Sequence, residues 1–238
     1  MRTERIWELD ALRGICILGM VAVHGLYDLD ILDTLPLFSF IQQWGGILFF
    51  LLSGICVTLG HRHIRRGLLV LGCGLICTAA TVCLSLLGIA DQSLIIYFGV
   101  LHCLGICMLL WQVFSRLPKL SVLPFSGICI VIGFVLERNC YVSFPWLLPL
   151  GFQFPTFSSA DYFPLLPNLG YFLLGTQLGI KLYPKKNSRF PHRDTSNPLI
   201  RFLCWCGRQS LPIYLLHQPA LTGILWLFQA FIVRSDIP

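Results

Sequence analysis

Long apolar runs broken by short polar stretches dominate the chain. A helix that crosses a bilayer needs about 20 mostly apolar residues. Seven segments fit that template: Leu12–Leu29, Leu37–Gly60, Gly67–Ile89, Ser93–Phe114, Leu120–Leu136, Phe163–Leu182 and Leu211–Val233. The third and fourth contain no Lys, Arg, Asp or Glu, and the fifth is short. Residues 139–160 are rich in aromatic residues and Pro, a composition that suits the membrane interface on the outer side, with Trp146 at headgroup level. Residues 183–199 are polar and basic and read as a cytoplasmic loop. Gly54, Gly99, Gly105, Gly170, Gly175 and Gly179 predict close helix packing. The pattern predicts an all-α polytopic membrane protein of about seven transmembrane helices, organised as a single domain over residues 1–238.

Composition removes the competing classes. The chain is 56% hydrophobic and 12% charged, with a mean hydropathy of +0.77, whereas soluble domains carry roughly 25% charged residues. An ordinary soluble enzyme, a nucleic-acid-binding domain, a disordered chain and a small secreted scaffold are all excluded, so the expected partner is membrane lipid and not nucleic acid. The net charge of +6 reads as topology, because Lys and Arg collect in cytoplasmic loops. With the N-terminus inside, every basic residue except Arg138 and Arg234 falls on an inner segment. Asp30, Asp33, Asp91, Glu137, Asp161 and Asp236 fall outside. The N-terminus is therefore expected in the cytoplasm and the C-terminus outside. The opening MRTERIWELDALRG has no small-residue cleavage site, so the first apolar run is expected to be retained. Most of the eleven cysteines lie in apolar segments and read as buried thiols. None completes a four-ligand zinc set, so no metal is expected.

Ionisable residues inside a bilayer are costly and mark function by default. His24, His102 and His217 qualify, whereas His61, His63 and His192 fall in inner loops and read as solvated. At about 1.5 Å per helical residue, His24 lies roughly 16 Å beyond Arg13, and His217 about 13 Å beyond Arg208. Counted from Ser93, His102 lies about 13 Å from the outer boundary. All three fall near mid-depth of a core about 30 Å thick. Arg13 and His24 are eleven residues apart, which returns almost to the same helix face. Asp28, four residues on, shares that face and could orient the imidazole. A second basic group, His61-Arg62-His63-Ile64-Arg65-Arg66, sits at the inner end of the second and third helices. Its guanidiniums suit phosphate, and Arg208 could join them.

Glu8-Leu-Asp-Ala-Leu-Arg13-Gly-Ile-Cys-Ile-Leu-Gly-Met-Val-Ala-Val-His24 resembles the opening of the transmembrane acyltransferases, with the Arg, ten residues, His spacing of the acyltransferase-3 family. Phe49-Phe-Leu-Leu-Ser53-Gly54 resembles their second-helix signature, and Gly207-Arg208-Gln-Ser-Leu-Pro-Ile-Tyr-Leu-Leu-His217 their closing helix. With Tyr97-Phe-Gly-Val-Leu-His102 and Asp161-Tyr-Phe-Pro-Leu-Leu-Pro, the whole pattern is most similar to the catalytic-domain family of heparan-alpha-glucosaminide N-acetyltransferase, in its short prokaryotic form.

The resemblance implies transfer of an acetyl group from cytoplasmic acetyl-CoA, the acyl-donor cosubstrate, to an amine or hydroxyl of a sugar or glycan on the outer side. Arg13 and His24 match the family's essential pair. His24 is then expected as general base, with Asp28, His102 and His217 completing the catalytic set. Arg13, Arg62, Arg65, Arg66 and Arg208 are expected to hold the CoA phosphates, and Asp161 and Ser53 to contact the acceptor. The lysosomal enzyme is longer and has a luminal domain absent here. Its acetyl-carrying histidine lies in a luminal loop whose counterpart, Gly25–Gln43, contains none. Direct transfer is therefore the expected route. Two other classes compete: a transporter or scaffold without chemistry, and a haem-binding electron carrier using His102 and His217 as axial ligands. Assembly as a homodimer is left open.

Overall fold

The computed structural model describes residues 5–29, 31, 36–139, 145–155, 157–190 and 197–235. Eight α-helices occur among them: α1 (Trp7–Asp28), α2 (Pro36–Leu59), α3 (His63–Leu86), α4 (Val100–Phe114), α5 (Lys119–Asn139), α6 (Leu165–Leu182), α7 (Pro198–Arg208) and α8 (Ser210–Ser235). Short 3-10 turns occupy Gln92–Leu94 and Pro145–Leu150. The described residues form no strand, and an isolated parallel bridge joins Phe98 to Tyr162. The fold is all-α. Three described helices, Trp7–Asp28, His63–Leu86 and Ser210–Phe228, are long and apolar enough to cross a membrane, and Trp44–Leu59, Val100–Phe114 and Ser121–Glu137 are shorter apolar helices. Of the residues used above for topology and solvation, Arg2, Asp30, Asp33, His192, Arg193 and Asp236 lie outside the described residues.

Two elements depart from the sequence pattern. The helix expected from Ser93 begins at Val100. The Asp91 carboxylate accepts the Ser93 backbone N–H at 2.8 Å, and this Asx turn competes with helix. The chain then runs extended to Gly99. Hydrophobicity is continuous across both stretches, and an apolar run alone does not separate extended from helical backbone. His102 is therefore the third residue of its helix, so its depth cannot be counted from Ser93. The second departure is α7, which the span template passes over because it is short and amphipathic. Asn197 caps it by accepting the Leu199 N–H at 2.9 Å, and Pro198 takes the first helical position, where its missing N–H costs nothing.

The chain divides into two compact units, one of Ile47–Arg189 and the other of Arg5–Gly46 with Phe190–Pro238. In the first, small residues let backbones meet. A Cβ on Gly54 would fall 2.0 Å from the Phe172 carbonyl oxygen, one on Gly175 2.1 Å from that of Leu51, and one on Gly105 2.8 Å from Leu71. Small residues permit this close backbone approach where helices pack. Phe50, Cys103, Cys107, Phe172, Leu173 and Thr176 fill the core completely. In the second unit α7 lies against the first half of α1. Cβ atoms on Gly14 and Gly207 would meet the Leu203 and Asp10 carbonyl oxygens, and the Cys204 thiol approaches the Trp7 carbonyl at 3.4 Å. Farther along α1, Gly25 faces Leu221 of α8.

Candidate active site

The face of α1 read from the sequence is the face turned to α7 and α8. Near its start Arg13 is mostly covered, pairs with Asp10 at 3.4 Å and donates to the Gly207 carbonyl at 3.4 Å. Gly207 is in the last turn of α7, where carbonyls lack helical donors. Three turns on, the rings of His24 and His217 face each other with centroids 5.0 Å apart, tilted by 60°. One turn further, Gln218 of α8 donates its amide to both Asp28 oxygens, at 3.0 and 3.4 Å. Two adjacent α8 residues thus meet two α1 residues spaced by one turn.

Hydrogen bonding fixes the chemistry of one imidazole. His217 Nδ1 lies 2.5 Å from the Tyr214 carbonyl oxygen. A carbonyl only accepts, so Nδ1 carries the proton, and in the neutral ring Nε2 holds the lone pair. His24 has no hydrogen bond among the described residues. Asp28 reaches Gln218 and makes no hydrogen bond to His24.

His102 is in the other unit and its surroundings differ. The Gly99 N–H donates to Nδ1 at 3.2 Å, so the proton of the neutral ring is on Nε2, which lies 3.2 Å from the Thr78 hydroxyl. That hydroxyl donates to the Ile96 carbonyl at 2.7 Å. The ring is 4% exposed and fits against Gly74, where a Cβ would stand 3.0 Å from Nδ1. His102 therefore caps α4 as the third-position residue of a capping box does. Asp161 completes the cap: one carboxylate oxygen accepts the Val100 N–H at 3.1 Å. A Cβ on Gly99 would lie 2.1 Å from that oxygen.

At the opposite end of α4, His63 bonds Gln112 at 2.6 Å, so it is a tie between α3 and α4 and not merely solvated. Arg62, Arg65 and Arg66 are exposed at the start of α3, which has no acidic residue in its first turn. Arg208 is exposed at the end of α7, and Ser53 is buried on α2. Ahead of α6 Tyr162 donates to the Leu148 carbonyl at 2.7 Å, and burial pushes its phenol above the ordinary range. Around it Tyr97, Phe154 and Phe157 form an aromatic cluster with ring centroids 4.8–5.9 Å apart. No group of three or more metal-ligating side chains occurs among the described residues. Cys103, Cys107, Cys129, Cys204 and Cys206 are buried thiols outside any disulfide.

Gln218, Tyr214, Thr78 and Asp10 are bonding partners of the predicted residues that spacing alone did not reveal. Gln218 had a signal: it is an amide beside His217 in an apolar run, where a polar side chain requires a partner.

Apolar helices of spanning length mark a membrane-type protein, in which two imidazoles face each other near a carboxylate. The chain matches the family "Heparan-alpha-glucosaminide N-acetyltransferase, catalytic" over residues 5–219 and belongs to it. No curated protein and no solved structure gives a significant match. The family is one of transferases, and its members in general take the acetyl group from acetyl-CoA.

Proposed function

We propose that the protein is a membrane-embedded acetyltransferase. In this reading about seven helices cross the bilayer, with the N-terminus in the cytoplasm and the C-terminus outside. Acetyl-CoA enters from the cytoplasm, and an amine or hydroxyl of a sugar or glycan accepts from the outer side. The observation that carries the reading is the His24–His217 pair, held by α1 and α8 above Arg13.

His24 is the general base. As the acceptor attacks the thioester carbonyl, its N–H or O–H proton passes to His24, the C–S bond breaks, and the departing CoA thiolate recovers that proton as a thiol. A positioned base contributes about 10²–10⁴-fold. Neutral His217 has no proton on Nε2, so it is unsuited to stabilising an oxyanion. Its lone pair suits the acceptor's N–H or O–H, which makes it the residue that positions the acceptor. Asp28, kept on this face by Gln218, favours the imidazolium as it forms. Arg13 and Arg208 supply guanidiniums for the phosphates of CoA, and Arg62, Arg65 and Arg66 of the other unit are a separate cationic group suited to an anion. The first turn of α3, with its positive dipole and no acidic residue, is an environment an anion would relieve. The cluster of Tyr97, Phe157 and Tyr162 offers stacking faces to a sugar, and Ser53 is a buried hydroxyl on α2.

The haem alternative weakens on His102, whose ring nitrogens are both engaged and leave none for iron. The deciding experiment supplies radiolabelled acetyl-CoA and an amino-sugar acceptor to the protein in lipid nanodiscs. Wild-type protein transfers label and His24→Ala does not. Near-normal transfer by that variant removes His24 from the chemistry, and no transfer by either removes the reading.

A further inference from the structure

The amphipathic helix α7 exposes a stripe that the transfer chemistry does not use. Leu199, Phe202 and Trp205 are spaced three residues apart and are 63%, 50% and 51% exposed. The Phe202 and Trp205 rings stack at 6.4 Å and 19°. Beside the stripe is a cavity of about 680 Å³ whose wall includes Arg5, Trp7 and Arg201; Arg208 also lines it and is left to the CoA phosphates. Asp10 also faces it but is held by Arg13, so the cavity keeps a surplus of guanidinium charge. The opposite face of α7 is spent on α1, at Gly14 and Trp7.

We propose that this cavity and stripe bind the headgroup of an anionic phospholipid. Guanidiniums pair with phosphate oxygens, and half-exposed aromatic residues on an amphipathic helix settle at the headgroup boundary. A soluble phosphate ligand would account for the arginines but would leave Leu199, Phe202 and Trp205 facing water. A lipid accounts for both, with its phosphate in the cavity and its chains along the stripe. The proposal rests on the part of the preceding reading in which α1 and α8 cross a bilayer.

The test uses full-length protein reconstituted with phosphatidylcholine and a variable fraction of phosphatidylglycerol, either lipid brominated to quench tryptophan. Wild-type minus Trp205→Phe isolates the Trp205 signal. Brominated phosphatidylglycerol is expected to quench it at mole fractions where brominated phosphatidylcholine does not. The double variant Arg5→Gln/Arg201→Gln is expected to weaken that preference about fivefold per guanidinium removed. Both arginines are exposed, so the variant keeps its fold. Equal quenching by the two lipids, or an unchanged preference in the double variant, overturns the proposal. Relief of quenching by adenosine 3′,5′-bisphosphate also overturns it and assigns the cavity to a soluble phosphate. Trp226, 67% exposed on α8, reports on the bilayer independently of Trp205. Its quenching by brominated phosphatidylcholine reports the crossing itself, so failure there defeats the membrane reading and failure at Trp205 alone defeats only the lipid site.

Discussion

His24 and His102 are both histidines on apolar helices, and the sequence treats them alike. Their hydrogen bonds do not. The two nitrogens of His102 are engaged by the Gly99 N–H and the Thr78 hydroxyl, and its ring is buried. His24 meets another imidazole at 5.0 Å and has no hydrogen bond among the described residues. A histidine on an apolar helix is thus not functional by position alone. What separates the two is whether its lone pairs are already used. The satisfied residue maintains structure, and the uncommitted one is available to a substrate.

Replacing each residue sharpens that contrast, and the largest effect is expected at His24. His24→Ala should lower transfer by about 10²–10⁴-fold with its thermal midpoint unchanged, measured by labelled-acetyl transfer and unfolding in parallel. His102→Ala should do the opposite. It strips the Gly99 N–H of its acceptor, and an unsatisfied buried group costs about 1–3 kcal/mol. The midpoint should fall while the folded fraction keeps its turnover. A folded His102→Ala protein without transfer would erase the distinction and return His102 to the catalytic set.

The same test reaches Asp161, which the sequence offered as an acceptor contact and the structure gives a capping bond to Val100 N–H. Asn keeps an oxygen for that bond, and Ala does not. Asp161→Ala should lose about 0.5–2 kcal/mol, the usual value of a helix cap, and Asp161→Asn much less, with KM for the acceptor steady in both. A rise in KM in the Asn variant, at unchanged stability, would make the carboxylate a substrate ligand.

These cases show which parts of the molecule the sequence made legible. Apolar runs located the main helices because length and hydrophobicity are properties of the residues themselves. Angular spacing put Arg13, His24 and Asp28 on one face because the helical repeat is fixed, and that face does meet α7 and α8. The start of α4 was not legible, since its first bonds come from Asp161, far along the chain. Nor was the partner of Asp28, because nothing local to His24-x-x-x-Asp28 indicates that Gln218 will stand opposite. α7 was missed for another reason: it is too short and too basic to resemble a span, although the Asn197-Pro198 start signal was present. The glycines show both outcomes. Gly54, Gly105, Gly170, Gly175 and Gly179 do sit where helices touch, whereas Gly99 makes room for a carboxylate.

The smallest effect is expected at Asp91, the residue that holds the chain out of helix ahead of α4. Its bonds to the backbone and side chain of Ser93 depress its pKa below the ordinary 3.8, so the ionised form is the one favoured by the fold. The stabilisation is fully present above the unfolded value of 3.8 and is lost as pH falls through the lower folded value. The group is fully exposed and solvent screens it, so the global midpoint should barely move. The local reporter is the Ser93 amide. Its hydrogen-exchange protection, corrected for the intrinsic rate, should be constant through neutral pH and decline only under acid. In Asp91→Ala it should be low at every pH. Protection in the variant equal to wild type would mean that the Asx turn is not what delays α4, and that the capping by His102 and Asp161 alone sets where the helix begins.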